Sequence, residues 1–211
     1  MSENGFRQRK LTSAICVEWL KGKKDFSSSQ KMAVLGYVES HIGKTNELYD
    51  LYNAVRKQEA CKIGTLELEL SGEEAVLKID SVKITGSWSE MEKLLQDVIL
   101  ILEEPYPLGT VVDIDISEIA KEKGRPYSDV KVVIIERFVK KTDNIFVPYC
   151  GVVYPFGDIK KQILFTEKVV RKVIQRGYED EQENVYVAAV KRELLKKGYT
   201  SYVFANAGDE E

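Results

Sequence analysis

The hydrophobic pattern of the chain changes period more than once. Leu48, Leu51, Tyr52 and Val55 recur at i, i+3, i+4 and i+7, which places them on one helix face. Thr45 stands at the N-cap position of that helix. Met32, Leu35, Val38 and Ile42 form a shorter amphipathic run after the Ser27-Ser28-Ser29 cluster, and an earlier helix holds Ile15, Trp19 and Leu20. Residues 12–61 are therefore predicted helical, and residues 1–10 read as a frayed terminus. From Thr65 to Leu70 apolar and acidic residues alternate strictly, the mark of a half-buried strand. Ser71-Gly72-Glu73-Glu74 is a turn, Leu77 and Ile79 return on a second strand, and Val82 and Ile84 extend it or form a third. A helical period resumes at residue 88, with Met91, Leu94, Leu95, Val98, Ile101 and Leu102 on one wide face. Ser87 with Glu90, or Ser89 with Glu92, has capping-box spacing at its start. Pro105 and Pro107 end this helix and mark a domain boundary.

Strands dominate the second half of the chain. Gly109–Ile116 alternates Val112, Ile114 and Ile116, Val130–Val139 is a second strand, and Ile145–Tyr154 is a third, interrupted at Pro148 and Gly151. Residues 121–129 read as a polar loop, Pro155-Phe156-Gly157-Asp158 as a turn, and Gln162–Phe165 as a short fourth strand. Thr166 is then expected to cap a short helix with Val169, Val170 and Val173 inward, ended by Gly177. Glu179–Lys197 reads as a longer helix, acidic at its start and basic at its end, as the helix dipole favours. Tyr199–Phe204 is a candidate edge strand. The fold class is thus α+β. An N-terminal domain of helices plus a small antiparallel sheet covers 1–104, and a small β-barrel-like or β-sheet domain with C-terminal helices covers 105–204. The acidic tail 205–211 is expected to be disordered.

Composition narrows the function classes. Charged residues make up 31% of the chain, yet the net charge is only −3, so no concentrated basic surface for nucleic acid is expected. The longest apolar run, Val98 to Leu102, is five residues, far short of the roughly 18 of a membrane span. The polar start carries no apolar signal segment. Cys16, Cys61 and Cys150 read as reduced thiols, and with the absence of a leader they predict a cytoplasmic protein.

Candidate chemistry is sparse. His41 is the only histidine and reads as a helix-end residue, which leaves no His-based metal cluster. No phosphate-cradling glycine motif occurs. Asp113 and Asp115 point the same way from one strand, but a pair of acids on the polar side of a strand is ordinary. No enzyme activity, cofactor or metal is expected. The aromatics say more. Tyr149, Tyr154, Phe156 and Tyr178 gather around proline and glycine turns, either capping the end of a small barrel or forming an exposed partner-binding surface. Glu179, Asp180 and Glu181 stand at its edge, as a helix N-terminus or an acidic docking patch.

Four segments in order also carry a resemblance. Pro107-Leu108-Gly109-Thr110-Val111-Val112 is similar to a PLG[ST]VV opening, and Val132–Arg137 to a second-strand motif. Residues 149–157 match Y-x-G-x-x-YP-x-G, and 165–183 match a closing segment with GY-[ED]-[ED]-E. Together they resemble a numbered domain-of-unknown-function family of Gram-positive bacteria, encoded beside LXG toxins in type VII (ESX, WXG-type) secretion loci. The loop 117–129 is longer and more charged than the family's short turn, and Phe156 replaces an acid. The resemblance implies a cytosolic accessory protein that binds an LXG-type effector as chaperone, targeting factor or adaptor. An immunity protein that neutralises a cognate toxin is the alternative, with a small-ligand-binding protein or enzyme behind it. Trp19 and Trp88 lack the following Trp-x-Gly glycine, and Tyr154 to Asp158 spans Pro155 and Gly157, so the export signals of cargo are not expected.

Overall fold

In the computed structural model, which describes residues 3–116 and 129–204, the alternating run at Thr65 becomes the centre of a four-stranded antiparallel sheet. Its strands are β1 (Cys61–Ile63), β2 (Leu66–Ser71), β3 (Glu74–Ile79) and β4 (Val82–Ser87), paired in that order. Leu66, Leu68, Leu77, Ile79 and Ile84 are buried, while Lys78 pairs with Glu67 and Glu69 among the polar positions. β1 falls where the helical expectation ended and was not predicted. Three helices precede the sheet: α1 (Glu3–Gly22), α2 (Ser28–Ser40) and α3 (Asn46–Lys57). α4 (Trp88–Leu102) follows it. Ser87 and Glu90 form the capping box of α4, and every residue of the predicted face is buried. α1 and α3 pack on α4, and α2 packs on α1 and β4.

Three expectations change in this region. The chain is helical from Glu3, so residues 3–10 are not a frayed end. α2 buries Val34, Tyr37 and Val38, whereas Met32 is exposed and Ile42 lies beyond the helix end. Thr45 occupies the N-cap position of α3 but makes no side-chain capping bond.

The second sheet holds β5 (Val111–Asp115), β6 (Asp129–Lys140), β7 (Ile145–Val153), β8 (Gln162–Phe165), β9 (Val170–Gln175) and β10 (Thr200–Ser201). The order is β10-β7-β6-β5-β9, and β8 also pairs with β7. β8 and β10 share one edge of β7, opposite Tyr149–Val152 and Ile145–Phe146 respectively. β10 runs parallel to β7, and the other pairings are antiparallel. β7 is continuous through Pro148, which falls in the gap between the β8 and β10 pairings. A last helix, α5, spans Glu181–Lys197.

The segment expected as a short helix after Thr166 is a 3-10 turn, Glu167–Val169, followed by β9. Val170 and Val173 do face the core, but from a strand. A register shift between Asp113 and Ile114 places these inward residues three apart, a spacing that imitates a helix.

The sheet curls without closing into a barrel; among the described residues no pairing joins β8 to β9. Its curl follows from chain reach. Phe165 ends β8 and Val170 begins β9, and their rows meet β6 at Arg137 and Val130, seven positions apart. On a flat sheet the two ends would lie roughly 30 Å apart, from ~3.3 Å per residue and ~4.8 Å per strand. Five residue steps reach at most about 17 Å. The curled interior holds Val112, Ile114, Val132, Ile134, Tyr149 and Phe165.

The chain divides into two compact units. The first is Met1–Glu104 with Asn184–Lys196, and the second is Pro105–Glu183 with Lys197–Glu211. α5 therefore starts in the second unit and runs through the first. Within the first unit Lys191 donates to the Ile101 carbonyl at 3.1 Å and to the Glu103 carbonyl, closing the C-terminus of α4. The charged loop expected at 117–129 and the acidic tail 205–211 lie outside the described residues, apart from Asp129 at the start of β6.

Candidate functional site

The sequence motifs of the second unit turn out to lock its sheet together. Thr110 is buried, and its hydroxyl donates to the Pro107 carbonyl at 2.7 Å and accepts from Gly177 N at 3.0 Å. A Cβ on Gly177 would meet the Leu108 carbonyl oxygen at 2.0 Å, so that glycine serves close backbone approach and not a helix end. Gly151 has the same role, because a Cβ there would lie 2.8 Å from the Val133 carbonyl oxygen and 2.2 Å from the Val132 side chain. The opening and closing motifs thus meet each other, and the middle one meets the second strand.

Tyr149 belongs to this framework. It is 2% exposed, with ring centroids 5.6 Å from Tyr106 and 5.4 Å from Phe165. Its hydroxyl oxygen accepts from Tyr106 N at 3.2 Å. Strand alternation places it on the concave side with Gly151, so it is core and not partner-binding surface.

Tyr154 and Phe156 are surface residues, 55% and 82% exposed, on the turn after β7. Ile159, which the sequence did not single out, is 71% exposed on the same turn. The turn is fixed by its own backbone. Tyr154 N donates to Lys131 O at 2.9 Å, Gly157 N to Val153 O at 2.9 Å, and Lys161 N to Asp158 O at 3.0 Å. Lys160 N also reaches the Asp158 side chain at 3.0 Å, and Gly157 takes φ +62°. Three apolar side chains are thereby displayed on an ordered backbone, an arrangement suited to docking.

Tyr178 is 81% exposed but does not join them. Val152, Val133, Val111 and Gln175 form one row across β7, β6, β5 and β9. Tyr154 lies two residues beyond that row in one direction, and Tyr178 follows β9 three residues beyond it in the other. The predicted aromatic cluster is therefore one core ring and two separated surface positions.

The acidic run is engaged within the unit. Glu179 accepts from Arg176 at 3.0 Å, and Asp180 caps α5 by accepting from Glu183 N at 2.9 Å. Glu183 pairs with the buried Arg137. Glu181 is exposed in the first turn of α5. Near Tyr149, desolvation raises the Glu167 carboxyl, opposed by its bond with the Tyr106 hydroxyl. Burial and the Glu167 charge push Tyr106 up to about 12. Arg137 and Tyr106 were not foreseen, since an arginine inside an apolar strand carries no sequence mark of its partner.

Other candidates resolve into structure. Asp115 bonds Arg171 at 2.7 Å, and among the described residues no group of three or more His, Cys, Asp or Glu could hold a metal. His41 ends α2, stacked on Tyr37 at 4.1 Å with Nδ1 2.9 Å from the Tyr37 carbonyl. Cys150 and Cys16 are buried, and all three thiols are free. Burial, aided by Glu136, raises the Cys150 thiol, and burial with Glu39 pushes Cys16 up to about 12, so neither favours a thiolate. In the first unit an open cleft of about 260 Å³ is floored by Phe26, Ile84, Met91 and Leu94 and rimmed by charges of both signs. Two of its lining residues, Lys93 and Lys23, pair with Asp97 at 3.0 Å and 3.4 Å, and Trp19 Nε1 donates to Asp97 at 3.0 Å.

Residues 106–186 match the family model described as Domain of unknown function (DUF4176). The match starts at the linker before β5 and ends in the second turn of α5. No curated protein and no solved structure matches the chain. Among the described residues no helix is long and apolar enough to cross a membrane.

Proposed function

We propose that this protein is a non-catalytic cytosolic accessory component of a type VII secretion system, which binds an LXG-type effector as chaperone, targeting factor or adaptor. The observation that carries the binding role is the ordered turn presenting Tyr154, Phe156 and Ile159 to solvent. Exposed aromatic and aliphatic side chains on a fixed backbone lose little conformational freedom on docking. The match to a numbered domain-of-unknown-function family, together with the resemblance to proteins encoded beside LXG toxins, supports the choice of partner class. The immunity alternative draws on the acidic run, and that run is weakened as a docking patch because Glu179, Asp180 and Glu183 already serve Arg176, the α5 cap and Arg137.

Co-purification of the tagged protein with separately expressed N- and C-terminal fragments of a neighbouring LXG protein tests the assignment. Capture of the N-terminal helical fragment is expected, weakened about tenfold or more by Tyr154→Ala with Phe156→Ala. Capture of the C-terminal toxin fragment alone would favour immunity. Capture of neither would remove the accessory role.

A further inference from the structure

Helices cover the sheet of the first unit, but at its β4 edge the cover is incomplete. Among the described residues β4 pairs with β3 alone. Ile79 and Val82 flank a two-residue turn, so they exchange both main-chain bonds, as do Leu77 with Ile84 and Ala75 with Gly86. Lys83, Thr85 and Ser87 therefore turn their N–H and C=O groups away from β3. Side chains fill this edge on either side of Thr85. The Gln30 amide in the first turn of α2 donates to the Lys83 carbonyl at 2.8 Å, and the Glu90 carboxylate in the first turn of α4 accepts from Ser87 N at 2.8 Å. Thr85 between them is exposed, and among the described residues nothing bonds its outward N–H and C=O.

This stretch of edge lines the cleft of the first unit. Ile84 and Gly86 share the face that meets Phe26, Met91 and Leu94, and a Cβ on Gly86 would stand 3.1 Å from Glu90 Oε2. About 260 Å³ falls below the ~300–1,000 Å³ of sites for drug-sized ligands, and suits a side chain with its stretch of main chain. Of the rim charges, Lys23 and Lys93 pair with Asp97, Glu90 caps α4, and Asp25 is exposed to water. The complementarity left open is therefore that of main-chain dipoles over an apolar floor.

We propose that this cleft binds a short extended segment of another polypeptide, antiparallel to β4, in which one residue pairs its N–H and C=O with those of Thr85 and the next lays an apolar side chain on Gly86, Phe26, Met91 and Leu94. The proposal goes beyond the accessory reading and does not rest on it. A phosphate offers acceptors and a hydrocarbon offers neither group, whereas a residue within a chain offers a donor and an acceptor at strand spacing. Alternation turns the side chain of the paired residue outward beside Thr85 and those of its neighbours into the cleft. Gln30 and Glu90 close the edge at Lys83 and Ser87, so the bound stretch is about three residues, or ~10 Å. Covering side chains also guard sheet edges against unwanted pairing. A guard of this edge, however, would cover Thr85 as well.

The test is an NMR titration of the full-length protein with an end-blocked Val-Thr-Phe tripeptide, read at the Thr85 and Gly86 amides. A saturable shift of the Thr85 N–H is expected, with affinity in the ~1 mM range that two hydrogen bonds and one side chain allow. Binding should weaken about tenfold or more when the peptide threonine is N-methylated, when the peptide phenylalanine becomes alanine, and in Gly86→Val. Thr85→Pro removes the outward donor and leaves the bonds to β3 in place, so it should abolish binding with the circular-dichroism spectrum unchanged. Should either protein variant fail to fold, the two altered peptides decide alone. Tyr154→Ala with Phe156→Ala should leave the titration unchanged. No shift at Thr85, or equal binding of the N-methylated peptide, overturns the proposal. So does equal affinity for benzyl alcohol, which has the ring without the amide and would mark a plain apolar pocket. Protection of the Thr85 N–H from exchange in the free protein overturns it too, because the edge would then already be occupied by this chain.

Discussion

The two units bury their apolar residues by different means. In the first, helices cover a short antiparallel sheet: α4 packs on β3 and β4, α2 on β4, and α1 and α3 on α4. In the second, the sheet curls over its own core, with Tyr106 and Val169 among the residues packed against that core. The outcome differs. Of the thirteen exposed large apolar side chains among the described residues, eight belong to the second unit: Leu108, Ile135, Tyr154, Phe156, Ile159, Leu164, Ile174 and Tyr178. A helix-covered sheet can complete its own burial, whereas a curled open sheet has edges and an outer face still to be used. Function of the binding kind is expected where burial is unfinished.

The sharpest way to break this contrast is to empty the curled core. Tyr149→Ala should cost roughly 3–5 kcal/mol by chemical denaturation, because it deletes the ring between Tyr106 and Phe165. A loss below about 1 kcal/mol would show that the second sheet does not rely on its own interior.

Next in size is a pH effect in the first unit. Burial holds Lys191 down at about 8, against the opposing pull of Glu103 and Glu104. Its folded pKa lies below the ordinary lysine value, so the penalty is full below pH 8. As pH rises from 8 towards 10.5 the unfolded chain retains the proton longer, and stability from this group rises. Cys16, Tyr37 and Tyr106 are pushed up to about 12 and act in the opposite sense above their ordinary values of 9 and 10. The isolating measurement is therefore the difference between wild type and Lys191→Met. That difference should shift by on the order of 2–3 kcal/mol across the window, and a pH-independent difference would refute the assignment.

Smaller still, Ser87→Ala should cost about 1 kcal/mol through the lost cap of α4. Smallest is Tyr154→Ala with Phe156→Ala, expected to change stability by under about 0.5 kcal/mol while weakening partner capture. A collapse in melting temperature would make those rings structural.

Much of this architecture was legible where one physical signal dominated. α4 was readable because its apolar spacing and its cap agree on a single face. The hairpin at β2 and β3 was readable because strict alternation admits no other period. α2 was not, since Met32, Val34, Leu35, Tyr37 and Val38 surround much of the helix and only packing selects which are buried. β9 was misread because a register shift sets its inward valines three apart. The residues around the turn left capping and exposure both open for the aromatics. Phe156 and Tyr154 are exposed, but Tyr149 shares their composition and neighbours while alternation turns it inward. Motifs such as Thr110, Gly151 and Gly177 are explained by backbone contact. They therefore identify the framework more readily than the surface that works.

α5 gives its first residues to one unit and residues 184–196 to the other, and the second unit resumes at Lys197, so the two units alternate along the chain. On the ribosome, the first unit's residues 1–104 emerge before Ala188, Lys191 and Leu194, with residues 105–183 made in between. The last turn of α4 must wait with two carbonyls uncapped while β5 to β9 are synthesised. Arrival of α5 then completes the older unit, coupling its maturation to the presence of the newer one.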